Sequence, residues 1–181
     1  MIQRLSRFIL YRLRGWQTEV SVTLPKKYVI ALAPHTSNWD FILGLLYSRA
    51  EGFRCGFLMK REWFFWPLGL LMRRLGGVPV QRSRHTSLTD QLATLAQQQE
   101  NFALCVTPEG TRKAVTEWKR GFYYIALKAN LPIFLFGVDY AQRRIVCTKC
   151  IWPDGDVERQ MDEIKAYFRD FHGKYPEKFT V

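Results

Sequence analysis

The sequence predicts an α/β fold, a single layered domain with a mostly parallel sheet flanked by helices. Three observations carry this. Short apolar runs of strand length alternate with longer apolar-periodic stretches along most of the chain. Two of the runs, residues 28–33 and 102–106, end abruptly in loops punctuated by Pro or Gly. The 181 residues are enough for one sizeable core, and 48% hydrophobic with 15% aromatic content excludes disorder.

Residues 2–16 put Ile2, Leu5, Ile9, Leu13 and Trp16 on one helical stripe, with Phe8 beside it and Arg4, Arg7 and Arg14 opposite. Such a basic amphipathic helix lies in a membrane interface or docks its stripe on the domain's own core. Residues 19–24 alternate weakly, as an edge strand closed by Pro25 does. The run YVIALA at 28–33 is a buried strand that Pro34 stops. Ser37 or Asn38 then caps an apolar helix over 40–50. A second strand is predicted over 53–59. Residues 60–75 follow with aromatic and aliphatic mass between Lys60-Arg61 and Arg73-Arg74, the composition of a lipid-facing helix or of a core helix. A turn and short strand at 76–82, a helix at 87–98 and a strand at 102–106 lead to the loop TPEGTR at 107–112. A helix over 119–129, strands over 131–138 and 144–150, and an amphipathic helix over 157–171 complete the chain. No repeat or linker divides it, so residues 1–181 read as one domain.

Lys and Arg number 27 against 16 acidic residues, a formal charge of +11. That balance points to nucleic acid, an anionic membrane surface or phosphorylated substrates. The aromatics cluster in one run instead of interleaving with basic residues along a strand, which argues against nucleic acid. Arg at 4, 7, 12 and 14 interrupts the first residues, so no signal peptide is read. The longest uncharged apolar run, 63–72, is far below the ~20 residues needed to span a bilayer. Cys55 and Cys105 lie in apolar runs as small core residues. The CxxC at 147–150 has neither a second pair nor a nearby His to complete a zinc set, and no disulfide is called for.

The candidate chemistry sits at HTSNWD, residues 35–40. Five places apart on a continuous helix, His35 and Asp40 would point about 140° away from each other. With His35 in the strand-to-helix turn and Asp40 in the first helical turn, the carboxylate reaches one imidazole nitrogen and leaves the other as a general base. In the plainer alternative, His35 packs or caps and Asp40 satisfies backbone amides. The same spacing recurs at His85 and Asp90, but behind the polar, basic stretch QRSR it reads as a solvated helix start.

Four stretches together resemble the glycerolipid acyltransferases, which acylate glycerol-3-phosphate and lysophosphatidic acid: HTSNWD at 35–40, GVPVQR at 77–82, PEGTR at 108–112 and LPI at 131–133. The resemblance covers about residues 28–138. It implies an α/β acyltransferase, membrane-associated at the cytoplasmic face, acting in phospholipid synthesis with no cofactor or metal. The implied partners are acyl-CoA or acyl carrier protein as donor, a lysophospholipid acceptor and an anionic membrane surface. Carried over by position, His35 is the general base and Asp40 its orienting partner. Arg82 and Arg112, with Glu109, Gly110 and Thr111, meet the acceptor's phosphate end, and Lys60 is a candidate for the thioester oxyanion. Pro79 and Thr107 depart from the aromatic residues usual at those places, which leaves the acceptor headgroup open. The rival reading is a non-enzymatic peripheral protein that binds anionic lipid through residues 2–16 and 60–75.

Overall fold

The structure, a computed structural model, describes residues 1–80 and 87–181, with Lys60 and Val80 described by backbone alone. Its strands form one seven-stranded sheet. In chain order they are β1 (Gln17–Val20), β2 (Lys27–Ala33), β3 (Gly56–Lys60), β4 (Gly77–Val80), β5 (Phe102–Val106), β6 (Ile133–Asp139) and β7 (Arg144–Ile151). The spatial order is β1-β7-β6-β2-β5-β3-β4, and every pairing is parallel except β6 with β7.

The run at 28–33 is apolar without alternation because both faces of β2 are covered. Tyr28 and Ile30 pack with Leu43 and Tyr47 on one side, whereas Val29, Ala31 and Ala33 meet Phe122, Ile125 and Ile164 on the other. The helices supplying these layers are α2 (Asn38–Glu51) on the first face and α4 (Leu88–Gln98), α5 (Gly121–Ala129) and α6 (Val157–Phe168) on the second. Pro79 fits in a strand because β4 is an edge, where a missing N–H breaks no ladder.

The order of the strands decides where chemistry can sit. After β2 the chain builds β3, β4 and β5 on one side of it, then β6 and β7 on the other. Strand β2 is therefore a switch point, and open α/β sheets bind ligands outside the carboxyl ends of strands at such points. Because β5 and β6 both run parallel to β2, the segments that follow all three leave the sheet at the same end.

Strand ends shift, with β1 at Gln17–Val20 against the expected 19–24 and β3 at Gly56–Lys60 against 53–59, and three further local expectations differ from the structure. The N-terminal stripe is broken: α1 (Ile2–Arg7) passes into π-helical turns over Phe8–Leu13. Leu10 and Trp16 are buried, while Ile2, Leu5, Phe8 and Leu13 face outward. Residues 60–75 are not one helix but the end of β3, a 3-10 turn Arg61–Trp63, and α3 (Leu68–Arg74). Pro67 donates no N–H and restricts the residue before it, so a helix can only start behind it. The closing helix ends at Phe168, three residues short of the predicted 171.

Candidate active site

The turn after β2 is organised by one carboxylate. Ser37 caps α2 by accepting from the Trp39 N–H, and Asp40 completes the capping box from the first helical turn. Asp40 Oδ2 accepts from the backbone N–H groups of Thr36 and Ser37, each at 2.8 Å. The same oxygen lies 3.2 Å from His35 Nδ1, and the Asp40 side chain is 1% exposed. Nδ1 is buried at contact distance but outside hydrogen-bond alignment with that oxygen. With Nδ1 turned to the carboxylate, Nε2 is the nitrogen left for proton transfer. The helix-cap role and the orienting geometry of Asp40 thus coexist in one side chain.

The other Asp40 oxygen, Oδ1, accepts from the Tyr140 hydroxyl at 2.7 Å. Burial, with the Asp40 bond and charge adding to it, pushes the Tyr140 phenol far above its ordinary range, so it stays a donor. Tyr140 follows β6, and its own N–H donates to the His172 carbonyl at 2.8 Å. That contact starts a strap over residues 172–175. Tyr175 N–H donates to Thr36 Oγ1 at 3.2 Å, and a Cβ on Gly173 would stand 2.7 Å from Thr36 Cγ2. Only glycine lets the strap lie this close to the turn. Sequence reasoning missed Tyr140 and the strap, since neither carries a motif.

From the other side comes Glu109, in the loop after β5. It is 2% exposed, and its Oε1 accepts from the His35 backbone N–H at 2.7 Å. The sequence placed Glu109 with Arg112 at the acceptor's phosphate end, but the carboxyl turns inward to hold His35, while Arg112 is exposed. Burial, offset in part by the His35 N–H and reinforced by the charge of Asp40, raises Glu109 to about 7. Gly110 has φ +67 and lines the cavity beside His35. Thr111 Oγ1 accepts from the Lys113 N–H.

His35 and Asp40 open into a cavity of about 550 Å³ between α2 and the sheet. Its walls are apolar, among them Ile30, Leu32, Leu45, Phe57 and Phe136. Cys55 and Cys105 also line it, and their mutual hydrogen bond together with burial pushes the Cys55 thiol well up. Other expected residues fall elsewhere. Arg82 and His85 lie outside the described residues, and Lys60 ends β3 with its side chain not described. Asp90 is engaged by Ser87 and Lys128. Pro132 stands before β6 and gives its carbonyl to Val29, at the opposite end of the sheet from His35.

The family model for acyltransferases matches residues 17–138. The chain belongs to the acyltransferase family. Over 123 residues it is 33% identical to the probable 1-acyl-sn-glycerol-3-phosphate acyltransferase of Mycoplasma pneumoniae, covering 61% of this chain and 44% of that protein. Over 111 residues it is 34% identical to human 1-acyl-sn-glycerol-3-phosphate acyltransferase beta, covering 58% of this chain and 38% of that one. The chain therefore matches less than half the length of each of these relatives. The crystal structure of the 1-acyl-sn-glycerophosphate acyltransferase PlsC from Thermotoga maritima shares the fold, with TM-score 0.65, 16% identity, and 93% and 75% of the two chains covered.

The site makes two measurable claims. Since the folded Glu109 titrates near 7 against a usual 4.5, its contribution to stability is whole below about pH 4.5 and is lost as pH rises through about 7. Glu109→Gln removes that loss, so in urea titrations the variant gains on the wild type across this interval, by about 3 kcal/mol at most. Tyr140→Phe keeps the ring against Trp16 but strips a donor from a buried carboxylate. The same titrations at neutral pH should show a loss of about 1.5–3 kcal/mol.

Proposed function

We propose that this protein is an O-acyltransferase that moves a fatty acyl group from a thioester, acyl-CoA or acyl carrier protein, to a hydroxyl of lysophosphatidic acid or a related lysolipid. The observation that carries the reading is the His35–Asp40 pair at the mouth of an apolar cavity suited to an acyl chain. The family of the chain and the printed names of its relatives support the same chemistry.

His35 Nε2 takes the proton from the acceptor hydroxyl as its oxygen bonds to the thioester carbonyl carbon. The tetrahedral oxyanion collapses, the carbon–sulfur bond breaks, and the departing thiolate takes the proton from the imidazolium. Asp40 stabilises that imidazolium and, held by Tyr140 and two backbone amides, fixes the ring. Glu109 acts on His35 through its backbone, as a positioning residue. Arg112, exposed beside Gly110 and Thr111, meets the phosphate end of the acceptor, a geometry guanidinium grips two-pronged. Lys60 remains our candidate donor to the oxyanion.

The protein works at a membrane surface in this reading. No described helix is long and apolar enough to cross a bilayer. Trp63, Phe65 and Trp66, between 51% and 86% exposed, and the outward face of the N-terminal helix supply interfacial contacts instead. Exposed apolar mass of this size fits the rival binding protein equally well; the His35–Asp40 pair at a cavity mouth supports the enzyme, because the rival assigns it no task.

Thiol release from acyl-CoA in the presence of lysophosphatidic acid tests the reaction. His35→Ala should fall at least about a thousandfold, the scale of a lost general base and its positioning; a variant that keeps near-normal turnover sinks the scheme. The cavity has its own test at Gly44, where an added Cβ meets nothing within 4 Å. Gly44→Leu should shift the preferred donor to shorter acyl chains, read from kcat/KM across a donor series.

A further inference from the structure

Helix α2 is apolar nearly all round, and its two flanks face different cavities. Phe41, Gly44, Leu45 and Ser48, at helical spacing, line the cavity that opens at His35. Trp39, Ile42, Leu43 and Leu46, equally spaced, line a second groove of about 360 Å³ between α2 and the N-terminal helix. Its floor is apolar and buried: Leu10 is fully covered, Leu43 7% exposed and Trp16 9%. Its rim is apolar and open, with Leu13 67% and Ile42 48% exposed.

Two further features fix what the groove is for. Tyr140 lines it and donates to Asp40, so the groove ends one side chain from the catalytic carboxylate. Arg14 and Lys174 stand at its edge over the Trp39 ring, at 6.0 and 4.7 Å from the centroid. Neither cation has a carboxylate partner among the described residues. The groove therefore combines an apolar trough with uncompensated positive charge, complementary to an anionic amphiphile.

The chemistry names the amphiphile. A lysolipid acceptor already carries one chain, attached within a glycerol backbone of the hydroxyl that His35 must deprotonate. The donor chain fills the cavity on one flank of α2, so the acceptor's chain needs a second apolar surface beside the same turn. We propose that the groove between α2 and the N-terminal helix binds the acyl chain already present on a monoacylglycerol phosphate acceptor, with Arg14 and Lys174 favouring the anionic lipid and Trp39 forming the wall. This rests on the transfer reaction proposed above and adds where the second chain lies.

The test compares wild type with Ile42→Glu, an exposed position whose substitution places a charge in the trough, and with Ile2→Glu, which adds the same charge to the N-terminal helix outside the groove. Monoacylglycerol phosphates of increasing chain length are supplied as monomers, with one fixed donor. Acceptor kcat/KM of the wild type should rise with each methylene that enters the trough, by up to about fourfold. Ile42→Glu should flatten that dependence and raise acceptor KM at least tenfold while leaving donor KM in place, and Ile2→Glu should keep the wild-type slope. Equal slopes in wild type and Ile42→Glu overturn the groove assignment while leaving the transfer reaction standing. So does a loss shared by Ile2→Glu, which marks the face as a general membrane contact. If the wild type transfers to no acceptor, the reaction has failed, and calorimetry with the same lysolipids decides the groove: chain-length-dependent binding lost in Ile42→Glu supports it, unchanged binding refutes it.

Discussion

A carboxylate almost wholly removed from water is costly unless each oxygen is met by donors, and Asp40 meets that demand from two directions. Two backbone amides of its own turn point at Oδ2, the Tyr140 hydroxyl points at Oδ1, and the His35 ring stands beside Oδ2. The rest of the site follows from this. The turn must fold back to present its amides, which sets where His35 emerges. Strand β6 must end beside β2 to deliver Tyr140. The strap must then cross the turn, which requires a residue with no side chain at Gly173.

Glu109 adds a second buried carboxyl from the opposite neighbour, β5, and grips the backbone of the residue whose ring Asp40 faces. The His35 amide is thereby held from the β5 side, while its imidazole stands beside Asp40 at the start of α2. In the proposed transfer reaction, a base positioned in this way needs no ordering before it meets the hydroxyl, which is where positioning contributes to rate. The two carboxyls divide the work according to their surroundings. Asp40 has several donors, whereas Glu109 has one and is raised by burial.

Helix α2 links this turn to the two apolar cavities of the described structure. Its N-terminus carries the Ser37 cap and Asp40, and its flanks line two separate apolar spaces, one opening at His35 and one reaching Tyr140. Under the proposed transfer reaction, the apolar content of α2 serves the substrates as well as the core.

By itself the sequence determined what depends on neighbours along the chain. The strand at 28–33, the stop at Pro34, the cap at Ser37 and the meeting of His35 with Asp40 follow from local spacing and turn chemistry, as does the strand delivering Glu109. Local rules failed where a competing local constraint won, at the π turns of the first helix and at Pro67. Tertiary structure alone decided the rest. Tyr140 reaches Asp40 across 100 residues and Tyr175 reaches Thr36 across 139, pairings set by strand order and by no periodicity. The inward turn of Glu109 and the two cavity-lining flanks of α2 were equally illegible, because a one-dimensional pattern records that a residue is polar or apolar but not which partner its position in the fold supplies.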